Sequence, residues 1–151
     1  MPELHEYRVN VNWAGGREGK GDVKAQTSGA SLPLAVPTEF GGVGGATNPE
    51  ELLTSAIASC YSITFGIIAA NRKLPVQDFR VEAIGVVEAQ GPSLTFKAVT
   101  IKPTITVGPD ATDDHLKMAE DMAHKADSYC IVTNAVRGKV EVTVEPTINK
   151  G

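Results

Sequence analysis

Tyr7, Val9 and Val11 alternate with polar neighbours from His5 onward, a period of two that predicts a half-buried strand running to Trp13. The glycine-rich turn Gly15-Gly16-Arg17-Glu18-Gly19-Lys20-Gly21 separates it from a second arm, Asp22 to Thr27. Leu32 to Val36 reads as a short third strand. Pro33 inside it and Pro37 after it assign it to a sheet edge, where a missing amide hydrogen does least harm. The run Gly41-Gly42-Val43-Gly44-Gly45 then reads as a flexible link or a lid. It precedes a helix start and could cradle an anion, but the lysine and hydroxyl of a P-loop do not follow it.

Asn48-Pro49-Glu50-Glu51 marks that helix start. Asn48 suits the N-cap, proline suits the first position, and acids suit the first turn. The helix should reach about Ala70 or Arg72, stopped by Pro75. It is apolar on nearly every face, which predicts a central, enclosed helix. Phe79 to Gln90 and Leu94 to Val107 alternate and meet at Gly91-Pro92, a long hairpin. Asp110 or Thr112 opens an amphipathic helix to about Ala126, with Leu116, Met118, Ala119, Met122 and Ala123 on one face. On that helix His115 and His124 read as solvated residues and the methionines as core. A second helical piece runs from Ser128 to Arg137, ended by Gly138. Lys139 to Glu145 alternates again as the last strand. The order is βββαββααβ, an α+β domain in which antiparallel sheet packs around a hydrophobic helix.

At 151 residues the chain fits one domain, residues 1–151. A chain of this size buries about 68–70% of its unfolded surface, enough for a core without metal or disulfide staples. Hydrophobic residues make up 42% and charged residues 21%, which excludes a disordered chain. The 14 Lys and Arg against 18 Asp and Glu leave a net charge of −4, which argues against nucleic acid and anionic membrane as partners. Leu52 through Ala70 carries no charge and approaches the length of a membrane span, but its Ser and Thr content fits a core helix. The first residues lack a basic and apolar signal, so the expected compartment is the cytoplasm, where thiols stay reduced.

Cys60 and Cys130 are the only cysteines. They form neither a CxxC motif nor a zinc signature. Cys60 falls well inside the apolar helix, beyond the reach of the field at its N-terminus. Burial there would raise its pKa and leave it inert, so a nucleophilic Cys60 needs a cation brought from elsewhere. Arginine suits this role, and the chain has Arg8, Arg17, Arg72 and Arg137. Arg8 sits on a strand face, while Arg72 and Arg137 lie at helix ends. Arg17 occupies the glycine-rich turn, from which a long side chain can be aimed away from its own hairpin.

Three segments in order resemble the OsmC/Ohr family, the osmotically induced and organic hydroperoxide resistance proteins. They are Gly15-Gly16-Arg17-Glu18-Gly19, then Thr47-Asn48-Pro49-Glu50-Glu51-Leu52-Leu53 with Cys60 beyond it, and Cys130 followed by Thr133-Asn134-Ala135-Val136-Arg137-Gly138-Lys139-Val140. The arginine turn is closest to the hydroperoxide resistance branch. Two positions depart from the family pattern: Ile131 follows Cys130 where proline is usual, and Glu39 stands where the osmotically induced branch has its arginine.

The resemblance implies an intertwined homodimer of the OsmC-like fold and a thiol peroxidase acting on organic hydroperoxides. It assigns Cys60 as the peroxidatic and Cys130 as the resolving cysteine, Arg17 as the activating arginine and Glu50 as its carboxylate partner. It implies no cofactor or metal, only an external dithiol such as a dihydrolipoyl group or lipoylated protein. Glu50 and Cys60 lie about 15 Å apart along a helix and about 80° apart around it, so one guanidinium cannot easily bridge both. Arg17 and Glu50 are therefore expected to serve the Cys60 of the other subunit. Ile57, Tyr61, Phe65 and Ile131 are expected to line an apolar pocket. The competing expectation is a dimer of the same fold that binds or senses a small molecule without turnover.

Overall fold

Of the first alternating stretch, Val9–Ala14 forms β1, exposed along its whole length rather than half-buried, and turns through the glycine-rich segment into β2 (Lys20–Ala25). The two pair antiparallel from Val9↔Ala25 to Ala14↔Lys20. Gly15 takes the left-handed φ of +100° that this turn requires, and Trp13 Nε1 donates to its carbonyl at 3.0 Å. β3 (Ser31–Leu34) adds to β2 antiparallel and ends the sheet β1-β2-β3, so Pro33 sits on an edge strand as its missing amide predicts.

The computed structural model describes residues 1–151, and these strands belong to the first of two compact units, Met1–Leu52 and Leu53–Gly151. The glycine run is not a loose link. Gly42 donates to the Pro37 carbonyl and Gly44 to that of Val36, both at 3.1 Å, around a short 3-10 turn over Thr38–Phe40. Thr47 then returns to β3, donating to the Pro33 carbonyl at 3.2 Å and accepting from the Ala35 amide at 3.0 Å. Glycine here permits close backbone approach rather than motion: a Cβ at Gly42 would run into the Val36 carbonyl.

Helix α1 (Pro49–Asn71) starts as its sequence predicts. Asn48 Oδ1 accepts from the Glu51 amide at 2.8 Å, and Pro49 is the first helical residue. By length and composition α1 could cross a membrane. Its stripe Ile57, Tyr61, Phe65 and Ala69 nevertheless lies in the buried core of the second unit. The helix is not enclosed within the chain, as its uniform apolarity suggested. Ile63 and Ile67 on another face are 64% and 57% exposed.

In the second unit β4 (Val76–Gln90) and β5 (Ser93–Val107) make the long antiparallel hairpin. α2 (Asp113–Ser128) and α3 (Ile131–Val136) follow. Thr112 caps α2, its Oγ1 accepting from the His115 amide while His115 Nδ1 accepts from the Thr112 amide. His115 is thus part of a capping box rather than simply solvated.

The end of the chain corrects the expected order and the expected all-antiparallel pairing. Two strands follow α3, β6 (Glu141–Val144) and β7 (Thr147–Lys150), and both pair with β5 in parallel. β6 covers Ala98–Ile101 and β7 covers Thr104–Val107, so the change of partner falls at Lys102-Pro103. Pro103 has no amide hydrogen to offer, and Pro146 lies in the gap between the two short strands.

β5 is consequently paired along both sides, and its alternate residues Val99, Ile101, Ile105 and Val107 are all fully buried. They pack in one cluster with the α1 stripe and with Ala119, Met122, Ala123 and Ala126 of α2. Gly85 of β4 permits a close approach to α1, since a Cβ there would collide with Thr54 Oγ1.

Candidate functional site: a hydrogen-bonded cysteine pair

Cys60 lies on the turn of α1 just before the buried Tyr61, half-buried, and Cys130 is fully buried as the N-cap residue of α3. Both thiols are free, and Cys130 is hydrogen-bonded to Cys60. Capping explains why Cys130 takes this place. Its backbone is extended (φ −75°, ψ 114°) and its Sγ accepts from the Thr133 amide at 3.4 Å.

Burial works against a thiolate at Cys60. It is outweighed by hydrogen bonds from the Cys130 side chain, from the Val132 and Ile131 amides and from the Thr64 side chain, which together hold the Cys60 pKa below its ordinary value. For Cys130 the balance is reversed: burial and the hydrogen bond to Cys60 push its thiol up, against the pull of Thr133. The groups around the pair thus favour a thiolate at Cys60 over one at Cys130.

Backbone amides thus stand beside any cation as groups that favour a Cys60 thiolate. The first amides of a helix have no intrahelical partner, and α3 spends two of them on this sulfur. Thr64 stands four residues from Cys60 on the same helix face, a spacing visible in the sequence. The Ile131 and Val132 donors are backbone groups that no side-chain pattern reveals.

Arg17 and Glu50 lie in the first unit. Arg17 does aim away from its own hairpin: Nη1 donates to the Phe40 carbonyl at 2.6 Å, and its Cδ lies close to Gly41. Glu50 is half-buried in the first turn of α1.

The expected pocket residues divide differently. Ile57 and Tyr61 are sealed in the core and Ile131 is 81% exposed, whereas Phe65 does line an apolar cleft. Tyr61 donates its hydroxyl to the Ala123 carbonyl at 2.6 Å, and burial together with the charge of Asp127 pushes its phenol well above the ordinary range. The cleft, of about 230 Å³, runs along the C-terminal half of α1, between Phe65, Ala69, Leu74 and Phe79. Phe65 and Phe79 stack there with ring centroids 4.5 Å apart. No cluster of side chains suited to holding a metal ion is present.

An α+β fold that sets a helix-borne cysteine against the cysteine capping another helix defines a protein with a paired-thiol site. The model of the OsmC-like protein family matches residues 42–145, and the chain belongs to that family. It is 30% identical over 147 residues to the uncharacterised protein YmaD of Bacillus subtilis, covering 97% of each chain. It is also 30% identical over 146 residues to the organic hydroperoxide resistance protein of Xanthomonas axonopodis pv. citri, covering 95% of this chain and 96% of that one. Among solved structures, an organic hydroperoxide resistance protein OsmC from Legionella pneumophila matches with a TM-score of 0.74 at 29% identity, covering 95% of this chain and 99% of that one. An OsmC-like protein from Vibrio cholerae shares the fold, with a TM-score of 0.80 at 20% identity over 95% of this chain and 99% of that one.

Proposed function

We propose that the protein is a cytoplasmic, thiol-dependent peroxidase that reduces organic hydroperoxides to alcohols. The observation that carries this reading is the placement of the free, half-buried Cys60 thiol against the Cys130 thiol and the first amides of α3. The thiolate attacks one peroxide oxygen; an S–O bond forms, the O–O bond breaks, and the departing alkoxide takes a proton to become the alcohol. The resulting sulfenic acid on Cys60 condenses with the Cys130 thiol, releasing water and forming a disulfide. An external dithiol, such as a dihydrolipoyl group, reduces that disulfide and is itself oxidised to a disulfide.

Arg17 adds the positive charge that offsets both the thiolate and the charge developing on the oxygens, and Glu50 holds its guanidinium. We assign both to the Cys60 of a second copy in an intertwined homodimer. Exposed apolar residues in each unit support a partner: Val9, Val11 and Trp13 of β1, and Ile63 and Ile67 of α1.

Turnover of cumene or tert-butyl hydroperoxide with dihydrolipoamide tests the reading, comparing wild type with Cys60→Ser and Arg17→Ala. Wild-type turnover well above Cys60→Ser supports it. Equal rates would leave a binding or sensing dimer instead.

A further inference from the structure

The Cys60 sulfur and the amides facing it belong to different helices, so the thiolate depends on what holds α3 beside α1. The contacts that do this converge on the last turns of α2. From α1, Tyr61, next in sequence to Cys60, donates to the Ala123 carbonyl at 2.6 Å. From α3, Asn134 Nδ2 donates to the Ser128 carbonyl at 3.1 Å, and the Cys130 amide reaches the Asp127 carbonyl at 3.4 Å. Arg137, just past the end of α3, makes the densest set. Nη2 donates to the Asp127 carbonyl at 3.1 Å, Nη1 lies 3.6 Å from Asp127 Oδ2, and Nε donates to Asn134 Oδ1 at 3.1 Å. The Asp127 side chain is only 19% exposed, so this pair is better shielded than the surface ion pairs of the chain.

We propose that Arg137 is a positioning residue for Cys60: its bridge to Asp127 and Asn134 clamps α3 to the end of α2 and so keeps the Ile131 and Val132 amides and the Cys130 thiol on the Cys60 sulfur. Arg137 touches neither sulfur. A guanidinium suits the task because one rigid fork binds a carbonyl, a carboxylate and an amide oxygen at once, which a lysine cannot reproduce. Capping of the Asp127 carbonyl alone would give Arg137 a stabilising role without consequence for Cys60. The two roles separate by experiment. The effect on turnover rests on the peroxidase reading; the effect on the thiol does not.

The test measures iodoacetamide alkylation of Cys60 in the fully reduced protein across pH, located by mass spectrometry, for wild type, Arg137→Ala, Arg137→Lys and Arg72→Ala. Loss of the clamp should raise the Cys60 midpoint by about one pH unit in Arg137→Ala. Alkylation below the wild-type midpoint should then fall about tenfold. Arg137→Lys should recover part of the shift. Arg72→Ala, which removes a looser pair with Asp121 of α2, should leave the midpoint in place. A folded Arg137→Ala protein with the wild-type midpoint overturns the proposal, even if its melting temperature drops. Should Arg137→Ala not fold, Arg137→Lys and Asn134→Ala decide, and unchanged midpoints in both overturn it. Absence of peroxide turnover in the wild type would refute the proposed function while leaving the midpoint comparison decisive for Arg137.

Discussion

Ile131→Pro removes one hydrogen-bond donor from the Cys60 sulfur and changes little else. Ile131 is the first residue of α3, the helical position where proline is best tolerated, because its amide has no intrahelical partner. Proline also restricts the residue before it to extended backbone, and Cys130 is already there at φ −75°, ψ 114°. The isoleucine side chain is 81% exposed, so almost no core contact is lost. What disappears is one of the two amides that face Cys60.

A hydrogen bond to a charged group contributes about 1.5–3 kcal/mol when shielded. Cys60 is partly open to water, which places the loss here nearer 1 kcal/mol, or somewhat under one pH unit. Thiolate absorbance at 240 nm against pH, with Cys60→Ser as the blank, reads the shift directly. The Cys60 midpoint should move up by about 0.5–1 unit while the melting temperature stays within a few degrees of wild type. An unmoved or lowered midpoint in a folded variant would refute the idea that backbone donors from α3 ionise this sulfur.

Cys130→Ala removes the thiol donor, so the two split titration steps of the pair should become one. That step should lie above the first wild-type step, a result the same absorbance titration checks. Because the folded Cys60 value lies below the unfolded one, its contribution to stability is present above about pH 8.5 and fades as the pH falls through the folded value. Urea titrations at pH 6 and pH 9 should show that slope shrinking in Cys130→Ala. Tyr61→Phe should cost about 1–2 kcal/mol by removing the buried bond to the Ala123 carbonyl, measured by chemical denaturation. Its phenol titrates higher in the folded than in the unfolded chain, so its contribution is complete below about pH 10 and is lost above it. The phenylalanine variant should lack that alkaline decline. Gly85→Ala should destabilise by about 1–3 kcal/mol through collision with Thr54 Oγ1, and Thr54→Ala in the same chain should recover part of the loss.

Period and punctuation made much of this fold legible. Alternation located the β4–β5 hairpin through Pro103, and Asn48-Pro49 fixed the start of α1 to the residue. The enclosed-helix expectation failed for an instructive reason. An apolar composition on all faces states what a helix avoids exposing in its working assembly, not what one chain covers. The Ile57–Tyr61–Phe65 face is satisfied within the second unit, and Ile63 and Ile67 are left for the second copy we propose. The run Val140, Val142 and Val144 does mark β6, but β7 after it goes unmarked, because Ile148 is the one apolar residue in Thr147–Lys150 and four residues hold too short an alternation to read. Parallel pairing left no mark in the local pattern at all, since side chains alternate alike in both kinds of ladder.

The candidate site shows a sharper limit of the same kind. Side chains that ionise a thiol, such as that of Arg17, are visible in a sequence; the amides of Ile131 and Val132 are not, since every residue but proline carries one. Those two become donors only because Cys130 caps a helix whose first turn meets α1, a tertiary fact. Arg137 is a helix-end arginine as its position suggests, and it binds the Asp127 carbonyl in the last turn of α2. The same bonds decide where α3 begins, and where α3 begins decides which donors the Cys60 sulfur meets. A residue without contact to the sulfur thus becomes a determinant of its charge through ordinary capping chemistry.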